Sequence, residues 1–198
     1  MSRRFALVAA LAAALLVPGT VSATTSTVTV SGSIHAFTNN SPTIALGDSV
    51  QWQANATNTT HTTTADKFSM WNFTLPAGSE TTSPVVFDRA GGFAFHCAIH
   101  PSMRGTVMVQ LSPDDSTPVV GQMITITFAL SPAPSGFSEQ IQKRKAGGTW
   151  QNLSAANTGT TVSWTAPKAK TFQFRSRLVQ GGAMSSWSPI LSLTVAAH

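Results

Sequence analysis

The feature that most constrains the fold is the alternation of apolar and polar residues from residue 24 onward. Thr, Ser, Val and Phe dominate this stretch, and apolar side chains tend to recur at every second position, as on a strand with one buried face. Residues 105–111 are an example, with Val107, Val109 and Leu111 on one face. No stretch of ten or more residues combines a helical period with capping residues. The sequence therefore predicts an all-β protein of short strands, arranged as a sandwich or barrel.

A polar segment divides this β pattern into two parts. Residues 112–118 are rich in Pro, Asp and Ser and contain no apolar side chain, which is typical of a domain boundary. The chain has 198 residues, enough for one large domain or two small ones. We predict a first β domain at 24–111, a linker at 112–118 and a second β domain at 119–198.

Residues 1–23 have the features of a secretory signal peptide. Two arginines precede an unbroken apolar run over residues 5–17, and a small-x-small pattern ends at Ala23. A helix of that run would span about 20 Å, too short for a hydrocarbon core of about 30 Å. We predict cleavage near Ala23 and export to the periplasm, the cell surface or the extracellular space. We expect no transmembrane segment in the mature chain.

The only cysteine is Cys97, so an intramolecular disulfide is impossible. An unpaired thiol in an oxidising compartment is buried, paired with another chain or bound to metal. His100 and Met103 follow Cys97 at intervals of three residues. A thiolate, an imidazole and a thioether form a donor set that suits copper or zinc.

A trigonal metal site needs one more ligand. His61 is the best candidate because it follows a predicted strand and lies in a polar run where a loop can present it. His35, near the first strand, and His198, the last residue, are weaker candidates. Two histidines, one cysteine and one methionine are the ligands of blue copper sites, with a His₂Cys plane and a weak axial Met. Each residue alone is more typical of a structural role, and only the combination indicates metal.

Residues 24–111 resemble a cupredoxin, the group of small blue copper proteins that includes plastocyanin, amicyanin and azurin. The resemblance rests on three segments, residues 47–52, 91–97 and 100–107. The Cys-x₂-His-x₂-Met spacing is most similar to that of amicyanin. The resemblance implies a Greek-key β-sandwich or barrel and one type 1 copper ion. The implied ligands are His61, Cys97, His100 and Met103.

The function implied by this resemblance is single-electron transfer through a Cu(II)/Cu(I) couple, without enzyme catalysis. Redox partner proteins would dock near His100. The family often has Asn after the upstream histidine, whereas this chain has Thr62. The backbone N–H groups of Thr62 and Ala98 are candidates for hydrogen bonds to the sulfur. Ala98 also replaces the second flanking histidine of multicopper oxidases, which argues against oxidase chemistry. His96 should point to the opposite face from Cys97.

Residues 119–198 resemble a fibronectin type III domain or a similar immunoglobulin-like β-sandwich. The resemblance rests on Phe-x-Phe-Arg-x-Arg at 172–177 and Ser-Trp-Ser-Pro at 186–189. We expect Arg175 and Arg177 to face outward together, close enough to Trp187 for a cation–π stack.

The net charge of +5 comes from the second half of the mature chain and from the leader. Residues 113–198 hold seven basic and three acidic residues, whereas residues 24–112 hold three basic and four acidic ones. The basic run at 143–145 fits a solvated strand end, with a polyanion-binding patch as the alternative. We predict no nucleic-acid partner, and a spacer or adhesion role for the second domain at a cell surface or a partner protein.

The main functional hypothesis is therefore an exported blue copper electron carrier. The alternatives are a copper-binding or delivery protein without redox turnover, and a surface-binding module.

Overall fold

The computed structural model describes residues 22–31 and 35–198. The predicted leader at 1–23 lies almost entirely outside the described residues. All seventeen regular elements within them are strands, so the all-β fold class is confirmed. In this part of the chain there is no helix long and apolar enough to cross a membrane.

Nine strands form the first half. They are β1 (Thr25–Ser31), β2 (Ala36–Thr38), β3 (Thr43–Ile44), β4 (Ser49–Asn55), β5 (His61–Ala65), β6 (Asn72–Leu75), β7 (Val85–Val86), β8 (Gly91–His96) and β9 (Arg104–Val109). One sheet has the order β2-β1-β4-β7 and the other β3-β9-β8-β5-β6. The β1–β4 and β3–β9 pairs are parallel, and the remaining pairs are antiparallel.

The two sheets of the first half enclose one core, which gives the sandwich that the cupredoxin resemblance implies. Trp52 on β4 meets Phe95 on β8 edge to face, with ring centroids 5.4 Å apart. Trp71, after β5, stacks on Trp52 at 5.1 Å. Burial alternates along β8 as the sequence predicts, since Phe93 and Phe95 face the core. That face continues to Cys97, which is fully buried.

Eight strands form the second half. They are β10 (Ser112–Pro113), β11 (Met123–Thr127), β12 (Phe137–Lys145), β13 (Gln151–Asn157), β14 (Thr161–Thr165), β15 (Thr171–Gln180), β16 (Ala183–Met184) and β17 (Leu191–Thr194). One sheet has the order β10-β11-β14, and the other has the order β13-β12-β15-β16 with β17 also paired to β15. Ile126, Phe128 and Phe174 belong to the fully buried core of these strands. The likeness to a fibronectin type III domain stays a prediction.

The two halves contact each other through backbone and side-chain hydrogen bonds. Gly92 on β8 and Ser186 exchange two backbone hydrogen bonds of 2.8 Å. The buried Arg89 donates from Nη2 to the carbonyl oxygens of Ser131 at 3.1 Å and Pro132 at 2.9 Å.

The predicted domain boundaries stay predictions. The predicted linker at 112–118 includes β10, which pairs with β11. Ala90 and Leu111 pack into the core of the second half, whereas Leu178 packs into that of the first.

Candidate metal centre

The candidate ligands lie at the ends of adjacent strands. His61 is the first residue of β5, which pairs with β8. Cys97 follows the last residue of β8, and Met103 precedes the first residue of β9. His100 lies in the short connection between β8 and β9. His61, Cys97 and Met103 are buried and His100 is half-buried, so the centre reaches the surface on the His100 side.

The structure brings together the predicted imidazole and thiol ligands. The donor atoms of His61, Cys97 and His100 all lie within 4.8 Å of one another. The Sγ atom of Cys97 is 3.6 Å from Nδ1 of His100. The imidazole rings of His61 and His100 have centroids 4.7 Å apart. Met103, the predicted axial ligand, is 1% exposed and belongs to the same buried core as Cys97.

Backbone hydrogen bonds fix the spacing of the connection between β8 and β9. The N–H of Cys97 donates to the carbonyl of Met103 at 3.1 Å, and the N–H of Met103 donates to the carbonyl of His100 at 2.9 Å. These bonds hold the thiol, the imidazole and the thioether in one compact turn.

Thr62 connects the two segments that carry the ligands. Its backbone N–H donates to Sγ of Cys97 at 3.2 Å, as proposed from the sequence. The N–H of Ala98 does not reach the sulfur and instead donates to the hydroxyl oxygen of Thr62 at 2.7 Å. Thr62 thus makes the link between the two ligand segments.

His61 has one ring nitrogen without a partner. Its Nε2 lies 3.3 Å from the hydroxyl of Thr59, whereas its Nδ1 is buried and makes no hydrogen bond. Burial first, and the nearby His100 and His35 second, lower the pKa of His61 and favour its neutral form. A buried polar atom without a partner is costly, and a metal ion would satisfy it. A ring nitrogen of His61 lies within 4.8 Å of the Cys97 thiol and of a nitrogen of His100, so the residues fit a copper or zinc ion.

His35 is the residue at this centre that sequence reasoning undervalues. Its exposed ring stacks on that of His100 with centroids 4.5 Å apart and an angle of 23° between the planes. Its centroid lies 5.8 Å from that of His61. His35 is not among the three residues whose donor atoms converge. It covers the half-buried His100 rather than completing the ligand set. The other weak candidate, His198, is exposed at the end of the chain.

His96 lies on the opposite face of β8 from Cys97, as the strand alternation predicts. Its Nδ1 lies 2.5 Å from a carboxylate oxygen of Asp66, and the guanidinium of Arg104 approaches the same carboxylate at 3.5 Å. This group of side chains braces β8 and β9 from outside, whereas the candidate ligands lie on the inner side.

No protein-family model matches the chain, and no curated protein sequence matches it. Part of the structure is similar to amicyanin from Paracoccus versutus (Thiobacillus versutus), with 23% identity, a TM-score of 0.35, and coverage of 42% of this chain and 79% of that one. An oxidized amicyanin mutant has 20% identity, a TM-score of 0.37, and coverage of 50% and 90%. A mutant fern plastocyanin has 20% identity, a TM-score of 0.35, and coverage of 43% and 100%.

Proposed function

We propose that this chain is a type 1 blue copper protein that transfers single electrons between redox partners. The observation that carries the proposal is the convergence of His61, Cys97 and His100 beside the buried Met103. Bound copper would supply a Cu(II)/Cu(I) couple at this centre. Two imidazoles, a thiolate and a weak axial thioether are the donors of such electron-transfer sites.

The chain's own residues would fix the positions of the ligands and exclude water from the centre. The backbone bonds within the β8–β9 connection and the Thr62 link fix the ligand positions. The aromatic core that contains Trp52 and Phe95 lies beneath the centre and excludes water from that side. A site that keeps one arrangement needs little reorganisation when its charge changes, which suits an electron carrier better than an enzyme.

The surface around His100 is the proposed docking site for redox partners. Ile99 is 51% exposed, and Pro101 is also exposed. An apolar surface beside a half-buried ligand offers a short path for an electron into and out of the centre. The predicted leader supports the further proposal that the chain is exported. Residues 119–198 would then act as a fibronectin type III-like spacer or adhesion module.

The first test is the visible and EPR spectrum of the protein after addition of Cu(II). We expect an intense thiolate-to-copper charge-transfer band that is lost in Cys97→Ser, because the serine hydroxyl is a hard and weak donor. Met70→Leu provides the control, since Met70 packs against the core and is not a predicted ligand. A Cu(II) complex without the band in the unmutated protein would contradict a blue copper site.

The second test separates an electron carrier from a copper-delivery protein, the alternative from another class. We expect reversible voltammetry of the copper-loaded protein. Met103→Gln should keep the colour and lower the reduction potential, because a harder axial oxygen favours Cu(II). Loss of copper on each reduction would favour a delivery protein. An unchanged reduction potential in Met103→Gln would show that Met103 is not the axial ligand.

A further inference from the structure

Positive charge is concentrated in the last third of the chain without internal compensation. Residues 140–198 contain seven Lys and Arg and no Asp or Glu. The preceding acidic residue, Glu139, is fully buried and accepts a hydrogen bond from the Ser176 hydroxyl at 3.0 Å. The surface of this segment therefore attracts anions from solution.

Three of these cations form a stack with two tryptophans on the outer face of the β12–β15 pair. The stack, here called the ladder, consists of Arg144, Trp150, Arg175, Trp187 and Arg177. Each guanidinium carbon lies between 4.0 and 4.3 Å from the centroid of a neighbouring indole ring. The predicted stack of two arginines near one tryptophan is confirmed, and the structure extends it to a second tryptophan and a third arginine.

Glutamines on the paired strand hold the arginines of the ladder in place. The hydrogen-bonded pairs are Arg144 with Gln173, Arg175 with Gln142, and Arg177 with Gln140. The two residues of each pair lie directly opposite each other across the β12–β15 register. A glutamine oxygen brings no charge, so the arginines remain cationic and uncompensated. Each guanidinium has five N–H donors, and most remain free for an acceptor outside the protein.

One end of the ladder opens into a basic groove. The groove has a volume of about 360 Å³. Its cationic lining consists of Lys143, Arg144, Lys145 and Lys168. Arg144 belongs to both the ladder and the groove, so the two sets of cations meet at the end of β12 and are here together called the basic face. Lys143 and Lys145 lie opposite the buried Phe174 and Phe172 across the β12–β15 register, so they leave β12 on the other side from Arg144.

We propose that the basic face binds an acidic polysaccharide through its carboxylate or sulfate groups. Guanidinium groups held in a row suit repeated anionic groups because each can make two parallel hydrogen bonds to a carboxylate or sulfate. Along β15, Arg175 and Arg177 are about 7 Å apart, since alternate residues of a strand are separated by two rises of 3.3–3.4 Å. The ladder thus presents cations at a regular interval to a linear polymer.

The structure favours a polysaccharide over a membrane or a nucleic acid. The exposed large apolar residues of the second half are Met123, Leu130, Met184 and Ile190, and none belongs to the basic face. Insertion into a bilayer would need such residues. Single-stranded nucleic acids stack their bases on aromatic rings, whereas both indoles of the ladder already have two guanidinium groups over them. The proposed export also places the chain where acidic polysaccharides occur, and our choice of polymer rests on that proposal.

The test measures binding of the full mature chain to heparin, a sulfated probe, and to polygalacturonate, a carboxylated one, over a range of salt concentrations. Lys143→Gln/Lys145→Gln/Lys168→Gln should weaken binding about tenfold or more at moderate salt. By analogy with nucleic-acid binding, the slope of log affinity against log salt should fall by about 1 for each cation removed. Lys145 and Lys168 are exposed and Lys143 is half-buried, and circular dichroism checks that the variant is folded.

Lys168→Gln and Lys170→Gln form a matched pair for this measurement. Both lysines are exposed, and each change removes one charge, but only Lys168 lines the groove. We expect weaker binding for Lys168→Gln and unchanged binding for Lys170→Gln. Equal losses would show that net charge alone attracts the probe and would overturn the proposed site.

Two further outcomes would also overturn the proposal. One is no binding to either polysaccharide. The other is tighter binding to a single-stranded oligonucleotide or to phosphatidylglycerol vesicles than to both polysaccharides. The measurement is made with and without copper and should give the same affinity. Failure of the copper proposal would therefore leave this result unaffected.

Discussion

At the scale of single residues, the hydroxyl of Thr62 is the contact on which the candidate centre most depends. It accepts the N–H of Ala98 at 2.7 Å and so ties the segment of His61 to the segment of Cys97. Valine has the same shape and no acceptor. We expect Thr62→Val to lower the free energy of unfolding by about 0.5–1.5 kcal/mol, because it removes this hydrogen bond at an exposed position where water replaces only part of it. Urea unfolding of the metal-free protein measures this loss.

Thr62→Ser is the matched control because it keeps the hydroxyl and loses only a methyl group. It should retain most of the stability and, with copper added, the spectrum of the unmutated protein. Equal losses in the serine and valine variants would mean that packing of the methyl group, not the hydrogen bond, is what matters at this position.

At the scale of elements, the close packing of β8 against β9 determines whether the connection between them can place Cys97, His100 and Met103 together. Gly105 on β9 lies directly opposite Phe95 on β8. A Cβ atom at residue 105 would lie 2.3 Å from the Phe95 ring and 2.5 Å from the carbonyl oxygen of Asn40. The aromatic ring therefore occupies the space that any other residue would need. This contact explains why residue 105, two positions after the proposed axial ligand Met103, is a glycine.

We expect Gly105→Ala to destabilise the fold by about 1–3 kcal/mol, because both the ring and a backbone oxygen must move. Thermal and urea unfolding would measure the effect. Gly159→Ala is the control, since its nearest neighbour is the end of the Asn157 side chain at 3.3 Å. A Gly105→Ala variant as stable as that control would show that β8 and β9 can separate without cost.

Local patterns predict the strands and most of the candidate centre, because alternation and short spacing are properties of neighbouring residues. The buried face of β8 and the turn from Cys97 to Met103 are of this kind. Contacts between distant segments are different. No sequence pattern next to His35 predicts that its ring stacks on that of His100. The stacking depends on how the first strands pack on the β8–β9 connection. The place of Trp150 in the ladder likewise depends on the pairing of β12 with its neighbours.

At the scale of the whole molecule, a buried carboxyl lies close to the contact between the two halves. Glu139 on β12 is near Arg89 and Asp88, which precede β8 in the first half. Burial raises the pKa of Glu139 to about 8, against the opposing effects of the Ser176 hydroxyl and Arg89. The folded protein therefore keeps a proton on this carboxyl at a pH where the unfolded chain has released it.

The free energy of unfolding should fall as the pH rises from about 4.5 to about 8, because the folded state binds more protons than the unfolded state in this range. Glu139→Gln should remove this component, since a glutamine cannot titrate. Urea unfolding at about pH 5 and about pH 8 compares the two proteins. Glu80→Gln, at an exposed position, should keep the dependence of the unmutated protein. A Glu139→Gln variant with the same dependence as the unmutated protein would contradict the assignment.

The paired hydrogen bonds between Gly92 and Ser186 bear on how such a chain can evolve. A Cβ atom at residue 92 would lie 2.8 Å from the side chain of Ser186, so glycine and its neighbour are fitted to each other. Gly92 belongs to the strand that leads to Cys97. Recombination that replaced the second half would leave this backbone unpaired on the strand that leads to the candidate metal centre. The two halves are therefore suited to inheritance as a unit, and not to free shuffling like independent modules.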